Sequence, residues 1–384
     1  MIKKILENYE IPGKLESIKE YNVGNINKTY IIEYDNEGKR EKYLVQKINT
    51  LVFNNPYILM DNIEKVTSYL KNKMNEYEDK EHKVLSIIKT VKDDSLCKIS
   101  NGDNISYFRI YNFIDNSISY DYSTDNKIVY NTGKAFGNFN KLLNEYPINT
   151  LEETIIDFHN TQKRLEKFLY DIEKDSFKRV NGVKKEIKEI LKKSKICSII
   201  TKELDERNIP YRVTHNDTKV NNVLMNKVTG DYLAVIDLDT VMPGSLLYDY
   251  GDGIRSTSST ALEDEKDLSK VSIDLKMFEN YTDGYMSEMF DCITENELVL
   301  MPESIRIITL ELAMRFLNDY INGDVYFKTD YKDHNLDRAR NQLALVKDIE
   351  KKLPYINNYI YSSYQKYKKN NFTLKKVVKD KIVW

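Results

Sequence analysis

The run Thr214-His215-Asn216-Asp217-Thr218-Lys219-Val220-Asn221-Asn222, followed fifteen residues on by Asp237 in Val235-Ile236-Asp237-Leu238-Asp239, has the residue types and spacing to do chemistry. The pattern H-x-D-x-x-x-x-N is that of phosphoryl transfer. It places Asp217 to accept a proton from an attacking hydroxyl and Asn222 to hold a magnesium ion, with Asp237 as the second protein ligand of that ion. Such a pattern also turns up by chance, and its context gives it weight. Val223-Leu224-Met225 and Tyr232-Leu233-Ala234-Val235-Ile236 read as two short strands joined by a turn at Thr229-Gly230-Asp231. A hairpin there brings Asn222 and Asp237 to one place. The next segment, Tyr248-Asp249-Tyr250-Gly251-Asp252, adds two carboxylates suited to brace the loop through its backbone amides.

The elements that must position this loop are legible on both sides of it. Tyr30 to Tyr34 and Tyr43 to Ile48 are strand-like, with a turn at Asn36-Glu37-Gly38 between them. A helix is expected from about Leu59 to Lys73, with Ile63, Val66 and Leu70 on its apolar face, and further strands near Val84 to Ile88 and Tyr107 to Ile110. From Asp125 the apolar residues recur at helical spacing, and the rest of the chain reads as mostly helical around the hairpin. The expected architecture is α+β and two-lobed, with residues 1–112 as a small β-sheet lobe that binds nucleotide. Residues 113–384 form a larger, helical lobe for catalysis and acceptor binding, with the junction near Tyr111-Asn112-Phe113-Ile114.

Composition excludes several other classes. Across 384 residues, Lys+Arg at 58 against Asp+Glu at 60 leaves a net charge of -2, so nothing draws the chain to nucleic acid or anionic lipid. Three widely spaced cysteines, Cys97, Cys197 and Cys292, fit neither a disulfide framework nor a cysteine metal site. No apolar stretch reaches signal or membrane length, so a cytosolic protein with reduced thiols and no obligate protein partner is expected.

On the nucleotide side, Val23-Gly24-Asn25-Ile26-Asn27-Lys28-Thr29-Tyr30 is the candidate turn over the phosphates, with Gly24 its single glycine. Lys47 is the candidate cation for ATP, paired with Glu64 on the following helix, and Phe113 at the junction is a further candidate nucleotide contact.

With these segments the chain resembles the aminoglycoside and choline phosphotransferases of the protein-kinase-like superfamily, and within them the N-acetylhexosamine 1-kinases. The narrow signals are Val235 to Gly244 (VIDLDTVMPG) and Arg315 to Phe327 (RFLNDYINGDVYF), supported by Leu44 to Asn49 and Thr154 to Thr161. The resemblance implies ATP- and Mg²⁺-dependent phosphorylation of the anomeric hydroxyl of GlcNAc or GalNAc. It implies Asp217 as base, Asn222 and Asp237 as metal ligands, and Asp239, Arg315 and Tyr326 as sugar ligands. His159 and Arg164 are placed near the sugar, although a capping or packing histidine explains His159 equally well. Lys47 departs from the arginine of that family and lacks its bidentate fork. Arg315 stands in an apolar stretch, Leu310 to Leu317, where a charge needs a partner or a ligand. An aminoglycoside, choline or another sugar remains an alternative acceptor, and a pseudokinase an alternative class that the intact Asp217, Asn222 and Asp237 disfavour.

Overall fold

The computed structural model describes residues 2–21, 26–102 and 104–381, with side chains described as far as Lys369. Gly24 therefore lies outside the described residues. After a short α1 (Ile2–Leu6), strands β1 (Lys14–Tyr21), β2 (Lys28–Asn36) and β3 (Lys39–Lys47) form an antiparallel meander. The β2–β3 turn places Glu37 and Gly38 at φ 55° and 84°. Two positive φ values in succession are what a tight hairpin with twisted strands requires. Helix α2 (Pro56–Glu76) is capped by the Asn55 side chain, and β4 (Ile87–Ile88), β5 (Cys97–Asn101) and β6 (Asn104–Asn112) complete a six-stranded sheet in which β6 pairs with β3, β4 and β5.

Side-chain alternation divides this sheet. Tyr43 and Val45 pack with α1 on one face, whereas Leu44 joins the cluster of Leu59, Met60 and Ile63 from α2 on the other. By the same period of two, Gln46 shares the α2 face and Lys47 does not.

The helical part begins after β7 (Ser117–Ile118) with α3 (Asn126–Leu142), capped by Asp125. It continues through α4 (Thr161–Lys174), α5 (Lys184–Lys192) and α6 (Ile199–Asp205). Strand β8 (Arg212–Thr214) leads into the catalytic loop, β9 (Val223–Asn226) and β10 (Tyr232–Val235) form the expected hairpin, and β11 (Met242–Gly244) returns to pair with β8. Helices α7 (Leu246–Thr257), α8 (Leu275–Met289), α9 (Glu295–Ile321) and α10 (His334–Lys381) supply most of the large apolar core. A second cluster joins the two parts, since Phe139, Leu143, Val213, Leu238 and Val241 pack with the α2 face of the sheet. Among the described residues no helix is long and apolar enough to cross a membrane.

Helix α3 matters most for the site, because its Phe136 and Phe139 rings meet His215 edge-on, at 5.3 and 5.8 Å between centroids. Its other side lies so close to α8 that a Cβ on Gly284 would stand 2.0 Å from the Tyr130 carbonyl oxygen, and one on Gly133 2.1 Å from that of Tyr281. Backbone opposes backbone at both points, so no side chain can give way. Gly284→Ala is expected to lower unfolding stability by about 1–3 kcal/mol, seen as a lower denaturant midpoint at unchanged slope; an unchanged midpoint would show that the helices separate freely.

Candidate active site

The catalytic loop carries few regular backbone hydrogen bonds of its own and is held by side chains. Asp249 on α7 is fully buried, and its two carboxylate oxygens accept the His215 N–H at 2.9 Å and the Asn216 N–H at 2.7 Å, with Asn140 of α3 donating at 2.9 Å. Asp252, one turn on, accepts the Thr218 N–H at 3.0 Å and is itself paired with Arg255 at 2.8 Å. Burial raises the Asp249 pKa. It penalises Asp252 as well, but Arg255 and then Lys219 outweigh that penalty and hold Asp252 below its ordinary range. Both carboxylates thus brace the loop as the sequence predicts. The His215 ring donates from Nε2 to the Ile236 carbonyl at 2.9 Å and accepts the Asp217 N–H on Nδ1 at 3.3 Å. It ties the loop to the hairpin.

Asp217 projects from this frame half-exposed. Lys219 lies 3.0 Å from its Oδ1, and Asn222 Nδ2 donates to its Oδ2 at 2.9 Å. The charge of Asp217 raises the Lys219 pKa against the effect of burial. The β9–β10 hairpin closes as expected, with the Ile236 N–H donating to the Asn222 carbonyl at 2.9 Å, so Asp237 stands beside Asn222. Asp237 adopts a left-handed backbone, φ 60°, and its side chain is exposed. Crowding by protein, and then the charges of Asp239 and Asp217, raise its pKa although the side chain reaches solvent. Positive charge is wanted at this point. Asn222 Oδ1 and the Asp237 carboxylate are hard oxygen donors, and two such ligands suit Mg²⁺, which fills its other positions with phosphate oxygens and water. Among the described residues no group of three or more His, Cys, Asp or Glu side chains forms a denser metal site.

The nucleotide side differs from the sequence expectation. Lys47 and Glu64 do not pair: Glu64 meets Lys89, and strand alternation puts Lys47 on the α1 face, away from α2. The cation on the α2 face is Arg109 of β6, directly across from Gln46 in the register. Phe113 follows β6 at the junction, its N–H donating to the Lys42 carbonyl at 3.2 Å and its ring lying 5.7 Å from Lys42 Nζ.

On the acceptor side, α4, the end of α9 and the turn after it enclose a cavity of about 290 Å³ lined by Arg164, Lys167, Arg315, Asn318, Tyr326 and Phe327. Tyr326 folds back because α9 stops at Ile321 and Gly323 takes φ 93°; Asp319 then accepts the N–H groups of Val325, Tyr326 and Phe327 at 2.9–3.0 Å. Arg315, Tyr326 and Arg164 are thereby brought together. Asp239 and His159 do not line this cavity and have other partners. Both oxygens of Asp239 are engaged, by Arg109 at 2.6 Å and by Asn27 at 2.6 Å. His159 is buried between Glu311, 2.8 Å from Nδ1, and the Asn216 carbonyl, 3.1 Å from Nε2, so it supports the loop from behind.

Residues 17–267 match the phosphotransferase enzyme family, APH. The chain belongs to that family. Its fold is similar to that of a microcompartment-associated aminopropanol kinase (13% identity, 93% of this chain and 98% of that chain covered, TM-score 0.60). It is also similar to choline kinase from Cryptosporidium parvum (15%, 94% and 98%, 0.57) and to the amicoumacin kinase hAmiN (12%, 91% and 92%, 0.57). At these identities the likeness is one of fold: an N-terminal antiparallel sheet and a larger helical part.

Beside these residues the structure places two charged groups that spacing alone passes over, Lys219 next to Asp217 and Arg109 next to Asp239. Lys219 sits inside the motif, two residues after Asp217, and a cation beside the reacting oxygen is a signal in its own right. Arg109 interrupts the apolar run Tyr107-Phe108-Arg109-Ile110-Tyr111, the same argument from a costly charge that singles out Arg315. Asp249→Asn puts an NH₂ where one oxygen now accepts a loop amide, leaving that amide unsatisfied at about 1–3 kcal/mol. Expected are a melting temperature several degrees lower and at least tenfold slower phosphoryl transfer; a variant with parental Tm and rate would show that the loop keeps its shape without Asp249.

Proposed function

We propose that this phosphotransferase is an ATP-dependent sugar kinase that phosphorylates the anomeric hydroxyl of an N-acetylhexosamine. In this reading residues 1–112 form the nucleotide-binding lobe and residues 113–384 the catalytic and acceptor lobe. The observation that carries it is the charge and size of the acceptor cavity. Burial and then the like charge of Arg315 lower the Arg164 pKa, so two guanidinium groups share one small space. Neighbouring carboxylates are already engaged. Glu311 accepts from His159 and Thr161, Asp319 from three backbone amides and Asn335, and Asp324 pairs with Arg179 at 2.5 Å. A polycationic aminoglycoside would find repulsion there, and at about 290 Å³ the space lies at the small end of ligand cavities, roughly 300–1,000 Å³. Choline would need a free aromatic cage. The rings of Phe158, Tyr326 and Phe327 lie 4.8, 5.9 and 5.6 Å from the Arg315 guanidinium, which fills that role itself. A neutral ring with several hydroxyls suits guanidinium donors, and the VIDLDTVMPG and RFLNDYINGDVYF segments point to the same acceptor.

In this reading Asp217 orients the hydroxyl and takes its proton, with Asn222 Nδ2 and Lys219 fixing the carboxylate. Lys219 also offers a charge toward the incoming phosphoryl group, while Asn222 Oδ1 and Asp237 hold the metal. Bound Mg²⁺ neutralises charge on the phosphates during transfer. Arg315, Arg164 and Tyr326 hold the sugar.

ADP release with Mg-ATP across GlcNAc, GalNAc, glucose, galactose, choline, 1-amino-2-propanol and kanamycin tests the acceptor; turnover confined to choline, the amino alcohol or kanamycin would overturn it. Asp217→Asn should slow turnover roughly a hundred- to ten-thousand-fold, the usual worth of a general base, while calorimetry finds Mg-ATP binding nearly unchanged. More than about a tenth of parental activity would assign the proton to another group. Arg315→Leu should raise the sugar KM roughly ten- to a hundredfold, the worth of a charged hydrogen bond, with little change in the KM for ATP. A normal sugar KM in a variant that melts far below the parent would make Arg315 a structural partner of Glu311.

A further inference from the structure

Asp239 lies two residues past Asp237, and its carboxylate and its carbonyl are met by elements other than its own. Its Oδ1 lies 2.6 Å from Arg109 Nη1, its Oδ2 accepts from Asn27 Nδ2 at 2.6 Å, and its carbonyl accepts from Thr154 Oγ1 at 2.9 Å. Arg109 is 1% exposed, and the remaining edges of its guanidinium stay within the sheet part. Its Nε and Nη2 donate to Gln46 Oε1 at 3.0 and 2.8 Å, Nη1 lies 3.8 Å from the Met60 sulfur, and the plane stacks 5.1 Å from the centre of the Tyr111 ring. Asn27 lies within the candidate turn of residues 23–30, just before β2, and its Oδ1 accepts the Asn49 N–H at 3.0 Å, so it too is fixed to the sheet part. On the far side of the turn, Asn62 of α2 donates to the Val241 carbonyl at 3.0 Å and to that of Glu152 at 2.7 Å.

We propose that Arg109 and Asp239 form a latch between the two parts of the molecule, in which Arg109 is a positioning residue for Mg-ATP and Asp239 serves the metal-binding turn, not the acceptor. The inference rests on the ATP-dependent reading of the site. A buried guanidinium whose Nε and Nη2 are both given to Gln46, with Met60 and Tyr111 against it, has Nη1 left for an ion pair, and that nitrogen lies against Asp239 Oδ1. The turn Asp237-Leu238-Asp239 is then hung from the sheet that carries the nucleotide. Charge supports the same division. Two carboxylates two residues apart would compete for one metal ion, and Arg109 engages Asp239 permanently, leaving Asp237 as the carboxylate open to the cleft. Asn27, just before β2, adds a second tie from the sheet part to the same carboxylate, so the sheet and the turn that carries Asp237 are held by one hub.

The test is a double-mutant cycle read by calorimetric titration of the purified protein with AMP-PNP over a range of Mg²⁺ concentrations, beside thermal melts. Arg109→Met and Asp239→Asn should each weaken Mg²⁺-dependent AMP-PNP binding roughly ten- to a hundredfold, and the double variant should be no weaker than the worse single one, because partners in one interaction are not additive. Arg109→Lys keeps the charge without the fork and should recover only part of the loss, which provides a folded comparison if the Met variant does not fold. Unchanged Mg-AMP-PNP affinity in folded Arg109→Met or Arg109→Lys overturns the latch. Additive losses overturn it as well, and so does an Asp239→Asn variant that binds Mg-AMP-PNP normally but has lost the sugar KM, since Asp239 would then be an acceptor ligand. A parent protein that binds no AMP-PNP with Mg²⁺ would overturn the ATP-dependent reading itself.

Discussion

Asp249 carries a charge into the interior and is answered there by N–H groups: two from the catalytic loop and one from Asn140. A buried carboxylate without such donors is costly, and loop amides without an acceptor are costly too. Each therefore needs the other, and their mutual satisfaction fixes the backbone of His215 and Asn216 relative to α7. The rest of the centre follows from that placement. Asn216 takes φ 64° and donates from its side chain to the Thr240 carbonyl at 2.8 Å, and Thr240 Oγ1 returns a bond to the His215 carbonyl at 2.6 Å. The loop that bears Asp217 and the turn that bears Asp237 are thus sewn together by Asn216 and Thr240.

The same logic explains which parts of the site were legible in the sequence. Asp217, Asn222 and Asp237 form a local unit, a loop and the hairpin that follows it, so spacing and turn residues carry their geometry. The two-lobed α+β architecture was legible for a similar reason: strand runs, turn signals and the change to helical spacing after Asp125 are all short-range. The fold back of Tyr326 toward Arg315 also follows from a local stop at Asn322-Gly323-Asp324. What spacing could not decide was which face of a strand looks into the cleft. Lys47 and Gln46 are neighbours in the chain, yet a shift of one residue exchanges the two faces, and only the packing of α2 against Leu44 settles it. Arg109 and His159 illustrate a second limit, because a charged or polar residue announces that it needs a partner without saying where the partner lies.

Arg109 and Arg315 are the same chemical group used in opposite ways. The Arg109 guanidinium is paired with a carboxylate, and that pairing, against the cost of burial, raises its pKa. Arg315 is turned toward a cavity, where three aromatic rings cover it and its nearest carboxylate, Glu311, lies 4.0 Å away. Burial penalises the Glu311 charge, but His159 and then Arg315 and Arg164 outweigh it, so Glu311 stays ionised and satisfied by its own bonds. A paired guanidinium positions structure, and one with unused donors facing a cavity recognises a ligand.

His159 connects these two regimes. One ring nitrogen meets Glu311, which faces the arginines of the acceptor cavity, and the other meets the Asn216 carbonyl, one residue from Asp217. The cavity lined by Arg315 and the loop that carries Asp217 are therefore braced by the same buried imidazole. Arg315 is linked to the loop through Glu311 and His159, a short chain of packed, hydrogen-bonded groups without a hinge among them. Such an arrangement transmits little motion, and its value is precision. In the function proposed above, the hydroxyl to be phosphorylated and the carboxylate that would receive its proton are positioned from a common support, so most of the orientation that the reaction needs would be present before either substrate binds.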